Sequence, residues 1–141
     1  MGIVRTVGIP AGIVVSLLIV MAFFVTEYDD ARLADINASY DYESDRLTVI
    51  IYLTDSNGDY TKANGDAEIT IEKDLLTVYS DKYNFVKDDF VTWKDNFGGK
   101  FTAYRIDIRQ FFSSGSHDVF VDLNTKELHW EDLHASFYSL E

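Results

Sequence analysis

The stretch LTVIIYLTDSNGDYTKANGDAEITI, Leu47 to Ile71, holds two runs of alternating side chains separated by turn residues. In the first, Leu47, Val49, Ile51 and Leu53 alternate with Thr48, Ile50 and Tyr52. In the second, Ala67, Ile69 and Ile71 alternate with Glu68, Thr70 and Glu72. A period of two sends successive side chains to opposite faces of an extended chain, so each run predicts a strand with one face buried. Asp55-Ser56-Asn57-Gly58-Asp59 breaks the first run and Asn64-Gly65 precedes the second. Asn-Gly tolerates the positive φ of a tight turn, so both read as turns that bracket a short edge segment, Tyr60 to Ala63.

Downstream, Leu75 to Tyr79 and Lys82 to Val86 are weaker strand candidates. Between Asp88 and Gly98 the period changes: Phe90, Trp93 and Phe97 fall at i, i+3 and i+7, with Asp88 as N-cap and Gly98-Gly99 as the stop. This spacing predicts a short helix covering one end of the core. Ile106 and Ile108 resume the alternation, Ser113 to Ser116 turn, and Val119, Val121 and Leu123 follow. Asn124-Thr125-Lys126 turns again into Leu128 and Trp130, and Phe137 to Leu140 add a last strand. Seven or so short strands with one covering helix predict a mainly β domain, a two-sheet sandwich. The pattern from Leu47 to Leu123, above all YLTDSNGDYTKANGDAEITI and GSHDVFVDL, resembles immunoglobulin-like and fibronectin-III-like domains. The cysteine pair and core Trp of antibody domains are not matched, and the resemblance implies a fold without an activity.

Residues 7 to 26, VGIPAGIVVSLLIVMAFFVT, carry no charged side chain. Twenty helical residues span roughly 30 Å, the hydrocarbon thickness of a bilayer, so this run reads as a single transmembrane helix. Arg5 precedes it and Glu27, Asp29 and Asp30 follow, which places residues 1–6 in the cytoplasm and the rest outside. The sequence thus divides into a cytoplasmic N-terminus 1–6, a membrane anchor 7–26, a tether 27–32 and an extracytoplasmic domain 33–141. A cleaved signal peptide fits less well, because the run is long and ends in the bulky Phe23-Phe24-Val25. A pilin-like filament subunit shares the outline, but lacks the basic leader ending in Gly and the acidic residue near the helix start. Gly8, Gly12 and Ser16 recur every fourth residue and form a possible seam for helix packing, through which other membrane or cell-surface subunits would be the partners.

All 24 acidic residues follow residue 26, against 11 Lys and Arg; this gives −13, where the whole chain with Arg5 has −12. Nucleic acid binding needs a basic footprint and is disfavoured. The chain has no cysteine, so no disulfide or acylated anchor is available, and packing must hold the domain. Tyr and Phe supply the area.

Two constellations are cation candidates. Asp55, Asn57 and Asp59 alternate in a loop, with Asp66 where a twelve-residue calcium loop would place its last ligand. Glycine stands at the fourth loop position instead of the sixth, and a hairpin turn accounts for the same residues. His129 and His134 in HWEDLH, with His117 on another strand, are candidate ligands for a transition metal such as copper. Their i, i+5 spacing sends the two rings to opposite faces of a regular strand. A third candidate is an exposed platform of Tyr40, Tyr42, Tyr60, Tyr79 and Tyr83, weighed against core packing. No catalytic residue stands out: there is no nucleophile elbow and no phosphate loop. The expectation is a non-catalytic binding or structural subunit without a cofactor, with a cation-binding module and a filament subunit as alternatives.

Overall fold

The computed structural model describes residues 30–140. The transmembrane reading of residues 7–26, and Gly8, Gly12 and Ser16 with it, lies outside them. Strand β2 (Arg46–Thr54) follows its alternation without exception. Leu47, Val49, Ile51 and Leu53 are wholly buried, and the residues between them face outward. It pairs antiparallel with β1 (Leu33–Asp41) on one side, and with β3 (Tyr60–Thr61) and β7 (Lys100–Arg109) on the other. Strand β6 (Phe90–Lys94) completes this sheet beyond β7. The second sheet runs in the order β5 (Leu76–Phe85), β4 (Gly65–Lys73), β8 (Gly115–Thr125), β9 (His129–Ser139). Every pairing is antiparallel, and among the described residues the only helical piece is one 3-10 turn, Lys87–Asp89. The architecture is a two-sheet antiparallel sandwich, compatible at a coarse level with an immunoglobulin-like arrangement.

The core lies between the sheets. Sheet one contributes the β2 row and Ile36; sheet two contributes Ala67, Ile69, Ile71, Val119, Val121 and Leu123. Phe85, Phe90 and Tyr104 fill one flank with ring centroids 5.0–5.9 Å apart. Tyr40, Phe112 and Phe137 fill the other at 5.3–5.5 Å.

The helix expected over residues 88–98 is not formed. After the 3-10 turn, Phe90 to Lys94 is strand, with Phe90 buried against Phe85 and Trp93 on the opposite, outer face. Three aromatics at helical spacing are a weak signal. The ladder to β7 and the stacking of Trp93 on Phe101, 5.4 Å between centroids, outweigh it.

Asn64-Gly65 is not a hairpin turn either. Gly65 opens β4, and a Cβ there would sit 2.0 Å from the Asn124 carbonyl oxygen, so glycine is needed for close approach of two backbones. The two weak strand candidates after Leu75 form one strand, β5. Strand β1 has no counterpart in the sequence reading. Chain packing begins even earlier, with Ala31 buried and the Arg32 N–H donating to the Thr54 carbonyl at 2.7 Å.

The registers gather Asp30, the β2–β3 and β6–β7 turns and the β8–β9 turn at one end of the sandwich. The β1–β2 and β4–β5 turns and Leu140 lie at the other.

Candidate aromatic contact surface

The outward residues of sheet one include a run of aromatic rings. With Leu47, Val49, Ile51 and Leu53 turned inward, Tyr52 and Thr54 must face solvent. The β6–β7 register sets Trp93 opposite Phe101 and Val91 opposite Ala103, and β3 brings Tyr60 beside Thr54. A chain of touching rings results: Trp93 to Phe101 at 5.4 Å, Phe101 to Tyr52 at 5.9 Å, Tyr52 to Tyr60 at 6.0 Å. Beside it opens a groove of about 540 Å³ whose walls include Leu33, Asp35, Tyr52, Thr54, Tyr60 and Phe101. Leu33 is 65% exposed and Tyr60 46%. Burial among its neighbours, then the adjoining Tyr60, raise the Tyr52 hydroxyl's pKa against an opposing hydrogen bond with Asn37, so this tyrosine stays protonated. The groove offers ring stacking and apolar contact, with the Asp35 carboxylate and Thr54 hydroxyl as hydrogen-bonding groups at its walls.

Two turns of one design support this end. Asp55 Oδ1 accepts the backbone N–H groups of Asn57 and Asp59 at 2.8 and 3.0 Å, and Asp95 Oδ1 accepts those of Phe97 and Gly99 at 2.8 Å each. Gly58 and Gly98, both at φ +84°, donate to the carbonyls of Asp55 and Asp95. Each is a turn closed by a left-handed glycine, the three-residue hairpin loop with a bulge.

Asp55 is therefore engaged by its own turn. Asp66 lies elsewhere, in β4, accepting from the Asn124 amide at 3.1 Å with Lys82 4.0 Å away. Asp55, Asn57 and Asp59 share the β2–β3 loop, and no cluster of three or more His, Asp or Glu with metal-binding geometry occurs among the described residues.

The histidines diverge from expectation in a different way. A bulge in β9, with Asp132 at φ +55°, inserts one residue between Trp130 and Leu133, so His129 and His134 point outward on the same face. They still serve separate partners. His129 pairs with Asn124 and Glu131, whereas His134 Nε2 bonds Asp118 Oδ1 at 2.9 Å. His117 is in the core, 1% exposed, stacked on Phe137 at 4.7 Å and 6°; burial pushes its pKa down, against a hydrogen bond to the Gly115 carbonyl.

Of the five tyrosines proposed as a platform, only Tyr60 joins the strip. Tyr40, Tyr79 and Tyr83 pack against the core, the last two with their hydroxyls hydrogen-bonded together, and Tyr42 sits in the β1–β2 turn. The members that sequence reasoning missed are Leu33, Tyr52, Trp93 and Phe101. Trp93 and Phe101 flank Asp95 to Gly99 as a cross-strand pair flanks a hairpin turn, the signal that would have found them. The outer face of sheet two is acidic by contrast, with a smaller cleft of about 340 Å³ among Glu68, Glu72, Phe120, Asp122 and Asp132. No family model matches this chain, and no curated protein matches it.

Proposed function

We propose that this chain is a membrane-anchored, non-catalytic binding or structural subunit whose extracytoplasmic domain engages a neighbouring subunit through the aromatic strip of sheet one. The observation that carries this reading is the placement of Trp93, Phe101, Tyr52 and Tyr60 in mutual contact on a solvent face, where they add nothing to the core between the sheets. Tyr60 is exposed and the other three rings are partly so; contiguous apolar surface open to solvent marks interaction sites, and aromatic residues are enriched in them. The strand orders β1-β2-β7-β6 and β5-β4-β8-β9 support an immunoglobulin-like sandwich in the finer sense, since they correspond to the orders A-B-E-D and C′-C-F-G.

The test is purification from native membranes in mild detergent. The expected outcome is a complex with a defined companion that is lost on the double change Tyr60→Ser and Phe101→Ser, while the far-ultraviolet circular dichroism of the variant is unchanged. A native chain that migrates alone, or a companion that survives the double change, overturns the assignment.

A further inference from the structure

We propose that the tip of the β6–β7 hairpin, Phe97 between Lys94 and Lys100, docks into the interfacial layer of the phospholipid bilayer that holds residues 7–26; this rests on the membrane-anchor reading of that segment. Phe97 is 96% exposed and makes no ring contact among the described residues, so the fold does not account for a phenylalanine there. Lys94 and Lys100 face each other across the final rung of the ladder, directly beneath the tip. An apolar tip flanked by two long ammonium side chains suits a membrane interface: the ring reaches the acyl boundary, and the lysines extend to the phosphates.

Topology decides which surface this end meets. Thr61 Oγ1 donates to Asp30 Oδ1 at 2.6 Å, and Arg32 is held to Thr54, so the chain reaches the domain at the end that carries the hairpin. From Thr26 to Asp30 an extended chain covers at most about 14 Å. The headgroup layer occupies roughly 5–8 Å of that, which leaves this end of the domain on the bilayer surface.

Charge follows the same axis. At the loops, strand ends and chain entrance of this end, six basic side chains meet seven carboxylates, Asp30, Asp55, Asp59, Asp88, Asp89, Asp95 and Glu127. Over the rest of residues 30–140, five meet fourteen. With Glu27 and Asp29 of the tether the balance at this end is six against nine, still far less acidic than the rest of the domain, which fits a zwitterionic lipid surface better than an anionic one.

Absence of cysteine makes the test direct. The full chain is reconstituted in phosphatidylcholine nanodiscs with a single nitroxide at Asn96→Cys, Glu43→Cys or Leu17→Cys, and collision with oxygen and with a nickel chelate is read by electron paramagnetic resonance. Expected are a lipid-buried label at 17, a fully aqueous label at 43, and severalfold lower nickel access at 96 than at 43. Adding Phe97→Asp should restore nickel access at 96. A buried label at 17 with equal nickel access at 96 and 43 overturns the docking and leaves the anchor standing; an aqueous label at 17 removes the anchor and the docking together. Protection at 96 that persists with Phe97→Asp also overturns insertion of the ring.

Discussion

Asp55 and Asp95 show how one side chain sets a turn. Each carboxylate oxygen takes two backbone N–H groups that a two-strand ladder leaves free. Replacing either by Ala should cost about 1 kcal/mol in urea unfolding, the usual net worth of such bonds. Gly65→Ala should cost more, about 1–3 kcal/mol, because the added methyl meets a carbonyl oxygen that belongs to the neighbouring strand's backbone. His117 adds a pH dependence with a definite sign. Burial lowers its folded pKa below the 6.5 of the free side chain, so the unfolded state binds the proton more readily. Stability is therefore full above pH 6.5 and declines as pH falls through it. Melting curves between pH 7.5 and 5 should show that loss, and His117→Phe should reduce it. The Asp55 turn was legible in the sequence because Asn-Gly signals itself. The role of Gly65 was not, since its cause is the Asn124 carbonyl oxygen, far along the chain in β8.

At the level of strands, alternation was a faithful guide wherever one face is buried and the other polar, as in β2 and β4. It failed where both faces carry large rings. In β6 Phe90 and Trp93 face opposite ways, and a pattern that ignores the partner strand reads them as one helical face. Strand β1 was missed because its inward set, Ala34, Ile36, Ala38 and Tyr40, is mostly small or polar-tipped, and gains its apolar environment from distant parts of the chain, β2, β9 and Phe112. The bulge at Asp132 was invisible for a related reason: only the register against β8 shows the extra residue. The hairpin offers a test of its own. A double-mutant cycle on Trp93→Ala and Phe101→Ala should give a coupling of about 0.5–1.5 kcal/mol, as for stacked aromatic pairs. A coupling indistinguishable from zero would show that the two rings act independently.

As a whole molecule, the sandwich carries its own core among residues 30–140, with no disulfide to help it. A fragment of residues 27–141 should therefore fold alone, with a β-type circular dichroism spectrum and a cooperative melt. A fragment without cooperative unfolding would show that the domain depends on its partners. The aromatic strip was the part of the candidate site least legible beforehand, since it is assembled from β2, β3, β6 and β7, and no local window holds more than two of its rings. A different property follows from the placement of Asp30 and Leu140 at opposite ends of the sandwich. Tension applied between those points would run along β1 and β9, perpendicular to their ladder hydrogen bonds. The bonds would then be loaded in shear and have to rupture together instead of unzipping singly, so the head is built to withstand pulling along its length.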